Sequence, residues 1–260
     1  MRDLRALRDL RGLRSHFAGG GGDADVALYI ATAGITDVDE IAAITTAVAA
    51  LKAGDLWDLS YLIYPLSPTS LAAAAVPLKA VAFTMSWLNT PSHAQAGITF
   101  NGTTSHGDTG WTANDEVDSN IDFGYTIRTS FSGSNPWAHG AAATDLTGAR
   151  GFGGSVLFYN GNNNPVVGTI SAAGTKIHTS SRRSATDHEG YINGVPDGVI
   201  VVSSTGLPAL PEYLGGRNLA SALANANAGT SSWLHYHKGL SDAEALEINN
   251  IIAAYSTSVR

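Results

Sequence analysis

Cysteine is missing from this 260-residue chain. That excludes disulfides, thiolate zinc sites, iron–sulfur clusters and cysteine nucleophiles, and it fits a reducing compartment of synthesis. Charge is scarce as well, at 14% of residues against about 25% in an ordinary soluble domain. Glutamate occurs six times, at Glu40, Glu116, Glu189, Glu212, Glu244 and Glu247, which limits carboxylate chemistry. No run of about 18 apolar residues is present to span a bilayer, and the Arg-rich start lacks the apolar core of a signal peptide. The opening alone carries a net positive charge. Residues 1–14 carry five Arg and two Asp, a net +3, while the rest of the chain sets 10 basic against 20 acidic groups, a net −10. An acidic body offers no footprint for phosphate backbones, so a nucleic-acid partner is excluded.

What the chain does have is 44% apolar residues and 29 glycines, with Ala, Ser, Thr and Asn in abundance. Such a composition favours an all-β body with many turns. A chain of this length buries roughly 70–75% of its unfolded surface and needs no covalent staples. The first 14 residues form a triplet repeat, with Leu4, Leu7, Leu10 and Leu13 interleaved with Arg2, Arg5, Arg8, Arg11 and Arg14. On an α-helix a period of three spirals, whereas on a three-per-turn helix it stacks; the spacing does not choose between them. The segment is too short to bury its leucines alone. It reads either as a frayed tail or as an anchor peptide that orders on a partner. Four consecutive glycines from Gly19 then suggest a joint. The expected organisation is an anchor peptide (1–18), a Gly-rich linker (19–25), a helical neck (26–60) and a β-rich head with a C-terminal helix (61–260).

Residues 36–53 predict a helix, with Thr36 as N-cap and Ile41, Ile44, Val48 and Leu51 as its apolar stripe. Near the C-terminus, Ser241 to Glu244 forms a capping box ahead of Leu246, Ile248, Ile251, Ile252 and Tyr255. Between them, about eleven short β-rich runs are punctuated by Gly, Asn, Pro and Ser, the pattern of a two-sheet sandwich or jelly roll. Ile121, Phe123, Tyr125 and Ile127 alternate onto one face, and Asn101-Gly102, Asn160-Gly161 and Asn193-Gly194 suit tight hairpins.

Three segments carry a resemblance to a known family: YIATAGITDVDEIAAITTAVAALKAGDLWDLSYLIYPLSP (residues 29–68), YINGVPD (191–197) and HKGLSDAEALEINNIIAAYSTSV (237–259). The first is similar to an A-G-I-T-D opening that leads into a helix, a Trp and an I-Y-P strand. The second resembles the strand-turn-strand Y-x-N-G of LamG-like domains, and the third their closing strand and L-S-x-x-E helix. Together they resemble a LamG or concanavalin A-like jelly roll of tailed-bacteriophage virion structural proteins. The resemblance implies a virion component such as a tail fibre, head fibre, spike or capsid decoration. It further implies a homotrimer and attachment to other virion proteins through the N-terminal peptide; binding of host-surface glycans is a further expectation. Such domains sometimes hold calcium.

Candidates for chemistry are few. A glycosidase needs two carboxylates facing each other across a cleft. On body strands only Asp187 with Glu189, and Glu116 with Asp118, stand two apart. There is no nucleophile elbow and no phosphate loop; Gly151-Phe-Gly-Gly154 lacks the closing G-K-[ST] and reads as a tight turn. The expectation is a protein that is not an enzyme. The alternatives are a polysaccharide-degrading enzyme and a stand-alone glycan-binding module. The acidic stretch holding Asp108, Asp115, Glu116, Asp118 and Asp122 reads as a solvated loop or as a calcium site. His235 and His237 read as a polar strand face or as half a zinc site. Most aromatics read as core. Trp111 and Trp137, in polar Gly-rich surroundings, are the candidates for stacking on a glycan.

Overall fold

The structure, a computed structural model, describes residues 22–66, 68–117, 121–133, 135–143 and 145–259. The anchor peptide and its Leu and Arg residues lie outside the described residues, as does Asp118. The described chain opens with helices α1 (Ala24–Ala33), α2 (Val38–Ala53) and α3 (Leu56–Leu59), then β1 (Ser60–Tyr64) and α4 (Leu71–Ala74). There follow β2 (Ser86–Leu88), β3 (Ser92–Ala94), β4 (Gly97–Thr99), β5 (His106–Thr112) and α5 (Ala113–Glu116). Next come β6 (Phe123–Thr129), β7 (Trp137–Ala142), β8 (Leu146–Phe152), β9 (Ser155–Asn160), β10 (Val166–Val167), β11 (Lys176–Ser184) and β12 (Asp187–Ile192). The series closes with β13 (Val195–Ile200), β14 (Pro211–Leu214), β15 (Arg217–Leu219), β16 (Ala222–Ala224), β17 (Thr230–His237) and α6 (Asp242–Ser258).

The strands form two sheets. The first runs β13-β12-β11-β6-β17-β4-β3, with β1 also on β17; the second runs β10-β9-β8-β7-β14-β5-β2, with the β15–β16 hairpin attached to β7. Pairing is antiparallel except between β15 and β7. The molecule is a jelly-roll-like β-sandwich with a C-terminal helix, as the run of short strands predicts.

Period-two alternation puts the core on both faces of the first sheet. Phe123, Tyr125 and Ile127 of β6, with Leu234 and Tyr236 of β17, face the second sheet and meet Trp111, Val156 and Phe158 in the sandwich core. Ile121 precedes the strand and is exposed. Trp233, Ile177 and Tyr191 point the other way, into a second core with Val26, Tyr29, Ile44, Val48, Leu51, Ile248 and Ile252 of the helices. Trp233 meets the Tyr255 ring edge-on at 5.2 Å. The segment expected as a neck therefore packs as a third layer on the sandwich, because the stripe of α2 and that of α6 have one shared surface to bury against.

The helix ends are fixed locally. Asp23 caps α1 through Asp25 N at 2.9 Å, so α1 begins inside the stretch expected as linker. Asp37, rather than Thr36, caps α2 through Asp39 N at 3.0 Å and Glu40 N at 2.9 Å. Lys52 then ties the C-terminal end of α2 to Asp23 at 2.8 Å and to Asp25 at 2.6 Å. The capping box of α6 forms as its sequence predicts. Asn193 and Gly194, at φ 52° and 74°, make the β12–β13 turn that the Asn-Gly pair anticipates. Among the described residues no helix is long and apolar enough to cross a membrane.

Candidate functional site

The two tryptophans proposed to stack on a glycan are both buried, at 1% exposure. Trp111 points inward from β5 and stacks on Tyr236 at 4.4 Å and Phe123 at 6.1 Å; its polar neighbours turn the other way. Trp137 stands on the outer face of the second sheet, but Arg217 covers it at 4.8 Å and Tyr159 stacks on it at 4.9 Å. The glycine-rich surroundings that suggested exposure instead let the indole lie close to the backbone. A Cβ on Gly140 would sit 2.9 Å from the Trp137 ring. Neither indole presents a face to a sugar.

The acidic stretch is not drawn together. Asp108 accepts from Gly110 N at 2.9 Å on β5, Asp115 lies on α5, and Asp122 accepts from Gly239 N at 2.8 Å, bracing the turn before α6. Among the described residues no three His, Asp or Glu side chains are grouped to hold a metal ion. Asp108 and Asp122 thus serve separate backbone contacts, one within β5 and one ahead of α6.

His235 and His237 do share a side of β17, with rings 5.1 Å apart. They face the helix layer, fully buried. His235 Nε2 lies 2.7 Å from Ser60 Oγ, and His237 Nδ1 donates to the Lys238 carbonyl at 2.6 Å. Burial pushes the His237 imidazole down to about 4 and lowers that of His235. Both are committed to the packing of β17 against β1 and β6.

Asp187 and Glu189 are held by the guanidinium of Arg183, at 2.8 Å and 2.9 Å. They sit side by side on one salt bridge rather than across a cleft. A pair that the sequence does not announce lies deep in the sandwich: His139 Nδ1 is 3.6 Å from Glu212 Oε2, Thr147 donates to the other carboxylate oxygen, and Tyr236 Oη is 3.3 Å from the imidazole. Both residues are fully buried. A general acid or base must reach the proton it moves, and this pair has no path to a substrate.

The accessible site is at one end of the sandwich. Residues 131–133, Asn135, Pro136, the β8–β9 turn and residues 171–173 frame a cleft of about 270 Å³, near the lower end for ligand clefts (about 300 Å³). Phe131 forms its inner wall, packed beneath Gly151, and Phe152 its outer lip, with 51% of its surface exposed. Asn135, Ser155 and Ser171 supply polar groups around these rings. The Gly153-Gly154 turn, both residues at positive φ, carries Phe152 out from the sheet. An apolar face beside hydrogen-bonding groups suits a sugar, whose C–H face is apolar and whose rim is hydroxyl. A second cleft, of about 440 Å³ beside Asp37, Asp39, Glu40 and Thr69, has no aromatic floor.

No protein-family model matches the chain, and no curated protein resembles it in sequence. Solved structures do resemble it in fold. A mutant Trypanosoma rangeli sialidase displaying trans-sialidase activity aligns at TM-score 0.50 and 13% identity over 83% of this chain, which spans 40% of the sialidase. Domain 4 of AbnA, a GH43 extracellular arabinanase from Geobacillus stearothermophilus, in complex with arabinotriose, aligns at 0.55 and 14% identity, covering 73% of this chain and 97% of that domain. Botulinum neurotoxin type C, whose cell entry depends on interaction with two ganglioside molecules, aligns at 0.56 and 10% identity, covering 77% of this chain and 53% of the other. At such identities the likeness is one of fold.

Proposed function

We propose that this chain is a structural component of a tailed-phage particle, held by its N-terminal peptide, and that its sandwich is a glycan-binding head rather than an enzyme. The observation that carries the glycan reading is the end cleft: Phe152, half exposed on a glycine turn, faces Asn and Ser groups across about 270 Å³. Two structural neighbours point the same way, one a domain seen with arabinotriose and the other a toxin that engages gangliosides. The virion reading rests on the three sequence segments, residues 29–68, 191–197 and 237–259, and on the leucine–arginine repeat of residues 1–14. One shallow cleft per copy gives weak binding. Several copies, as in a trimer, raise the effective affinity by about 10²–10⁴.

The test uses the full chain on an array of bacterial surface polysaccharides. Binding that Phe152→Ala removes, with the unfolding midpoint unchanged, is the expected result. No binding to any member removes the glycan role and leaves a passive decoration protein. Immunogold labelling of purified particles tests the virion assignment separately.

A further inference from the structure

The lip of the cleft carries an unneutralised positive charge. Arg150 stands on β8 opposite Trp137, and its guanidinium lies 5.1 Å over the ring of Phe152, the residue that forms the lip. Arg217, on β15, lies 4.8 Å over the ring of Trp137. Ala149 is packed in the sandwich core, so Arg150 projects from the outer face of the second sheet, the face on which Arg217 covers Trp137. Trp137 of β7 thus has Arg217 over its ring and Arg150 opposite it in register on the neighbouring strand β8.

Neither arginine has a carboxylate partner among the described residues. Arg217 donates to Asn225 Oδ1 at 3.2 Å, and Arg150 has the Phe152 ring. The Nε of each is buried and meets no acceptor among the described residues, an arrangement native proteins rarely leave unexplained. Arg183, by contrast, has three carboxylates and Lys52 has two. In a body with twice as many acidic as basic groups, two arginines set beside each other without acid repel one another. Burial, and then the charge of Arg150, holds the Arg217 guanidinium below its usual range. An anion at the two guanidiniums relieves the repulsion.

We propose that Arg150 and Arg217, with Phe152, bind the carboxylate of an acidic glycan. The proposal rests on the glycan reading above and names the ligand class. A carboxylate is planar and accepts two parallel N–H bonds from a guanidinium. The aromatic rings beneath both arginines hold the forks in place before a ligand arrives, so little side-chain entropy is lost on binding. The exposed part of Phe152 then meets the sugar ring that bears the acid. Uronic acids and sialic acids both present this group.

Calorimetry on the full chain decides it, with tetragalacturonate against its methyl ester, and 3′-sialyllactose against its methyl ester. The acid of at least one pair is expected to bind about tenfold or more tightly than its neutral twin, since each charged hydrogen bond is of that order. Which pair responds identifies the source of the carboxylate. Arg150→Gln is expected to lose about tenfold on the acid and nothing on the neutral sugar. Because Arg217 also covers Trp137, Arg217→Lys is used beside Arg217→Gln; it keeps the charge and loses the fork, and a urea midpoint shows whether either has loosened the sheet. If acid and neutral twins bind alike, or Arg150→Gln leaves the acid affinity unchanged, the acidic class is wrong and the glycan reading stands. If no sugar of either kind binds, here or on the polysaccharide array, both are wrong.

Discussion

Arg183 grips Asp187 with two parallel hydrogen bonds, Nε to Oδ2 at 2.8 Å and Nη2 to Oδ1 at 3.0 Å. The same guanidinium reaches Glu189 at 2.9 Å and Asp242 at 3.2 Å, while the Tyr191 hydroxyl lies between Glu189 Oε2 and Asp242 Oδ1 at 2.8 Å and 2.9 Å. The network joins β11 and β12 to the first turn of α6. The hydrogen bond from Tyr191, then the one from Arg183, hold the Asp242 carboxyl below its ordinary range. The acidic pair that offers itself for hydrolysis in the sequence is a fastening between a sheet and a helix.

Loosening that fastening costs stability and not turnover. Arg183→Met is expected to lower the unfolding free energy by about 1–2 kcal/mol, less than a fully buried network because solvent screens these groups. Asp187→Asn with Glu189→Gln is expected to do the same. Urea unfolding checks both. An unchanged midpoint in Arg183→Met shows that the network carries no load, and a loss of polysaccharide hydrolysis in the double variant restores the pair as catalytic.

Acid sensitivity follows from the buried imidazoles. Burial, joined by the charges of Lys176 and Arg182 respectively, pushes His178 and His188 down to about 3; burial lowers His237 to about 4 and His235 as well. Unfolded, each binds a proton near pH 6.5. Between that pH and the folded values the unfolded chain holds more protons, so stability rises with pH in this window and is fully present above it. The slope is about 1.4 kcal/mol per pH unit for each histidine. Urea midpoints are therefore expected to fall from about pH 6.5 to 5, before most carboxylates titrate. His188→Gln, whose amide reaches the position of Nε2 and can keep a bond to Ser180 in place of the 2.9 Å contact, is expected to flatten the fall. A constant midpoint across that range contradicts it.

The elements that proved legible are those whose signals are local. The capping box at Ser241, the stripe of α2 and the alternation Phe123, Tyr125, Ile127 depend on neighbours within a few residues. Strands β7 and β8, WAHGAA and LTGARGF, went unread because Gly and Ala blur the two-residue alternation. The fate of the tryptophans was also beyond local reading: Arg217 lies 80 positions from the Trp137 it covers. The cleft has the same difficulty, since its walls come from three separate loops and its glycine turn, Gly153-Gly154, reads as punctuation until Phe152 is seen standing on it. His139 and Glu212 meet for the first time between the sheets.

Trp111 and Phe152 should separate core from site. Trp111 stacks between the sheets at 1% exposure, so Trp111→Ala is expected to cost about 3–5 kcal/mol. Phe152 is half exposed, and Phe152→Ala is expected to cost under about 1 kcal/mol while removing glycan binding. Thermal unfolding of both, beside a binding assay of Phe152→Ala, gives the comparison. Equal stability losses place Phe152 in the fold rather than at a surface site.

Among the described residues the core clusters begin at Val26, and the capping of α1 by Asp23 and its bond to Lys52 at 2.8 Å close that end of the helix layer. Removing residues 1–14 leaves these described contacts in place, and the unfolding midpoint is expected to stay put. Attachment to particles is expected to be lost. Within the repeat the two residue types should not weigh equally. A fully buried Leu contributes about 1.5–3 kcal/mol, whereas a surface ion pair contributes about 0–1. Replacing Leu4, Leu7, Leu10 and Leu13 by Ala should thus detach the protein more completely than replacing Arg2, Arg5, Arg8, Arg11 and Arg14 by Gln. Quantitative mass spectrometry of purified particles reads the occupancy. Retention of the shortened chain at full stoichiometry means that attachment runs through the body instead; a stronger effect from the arginines means that charge, not leucine burial, does the holding.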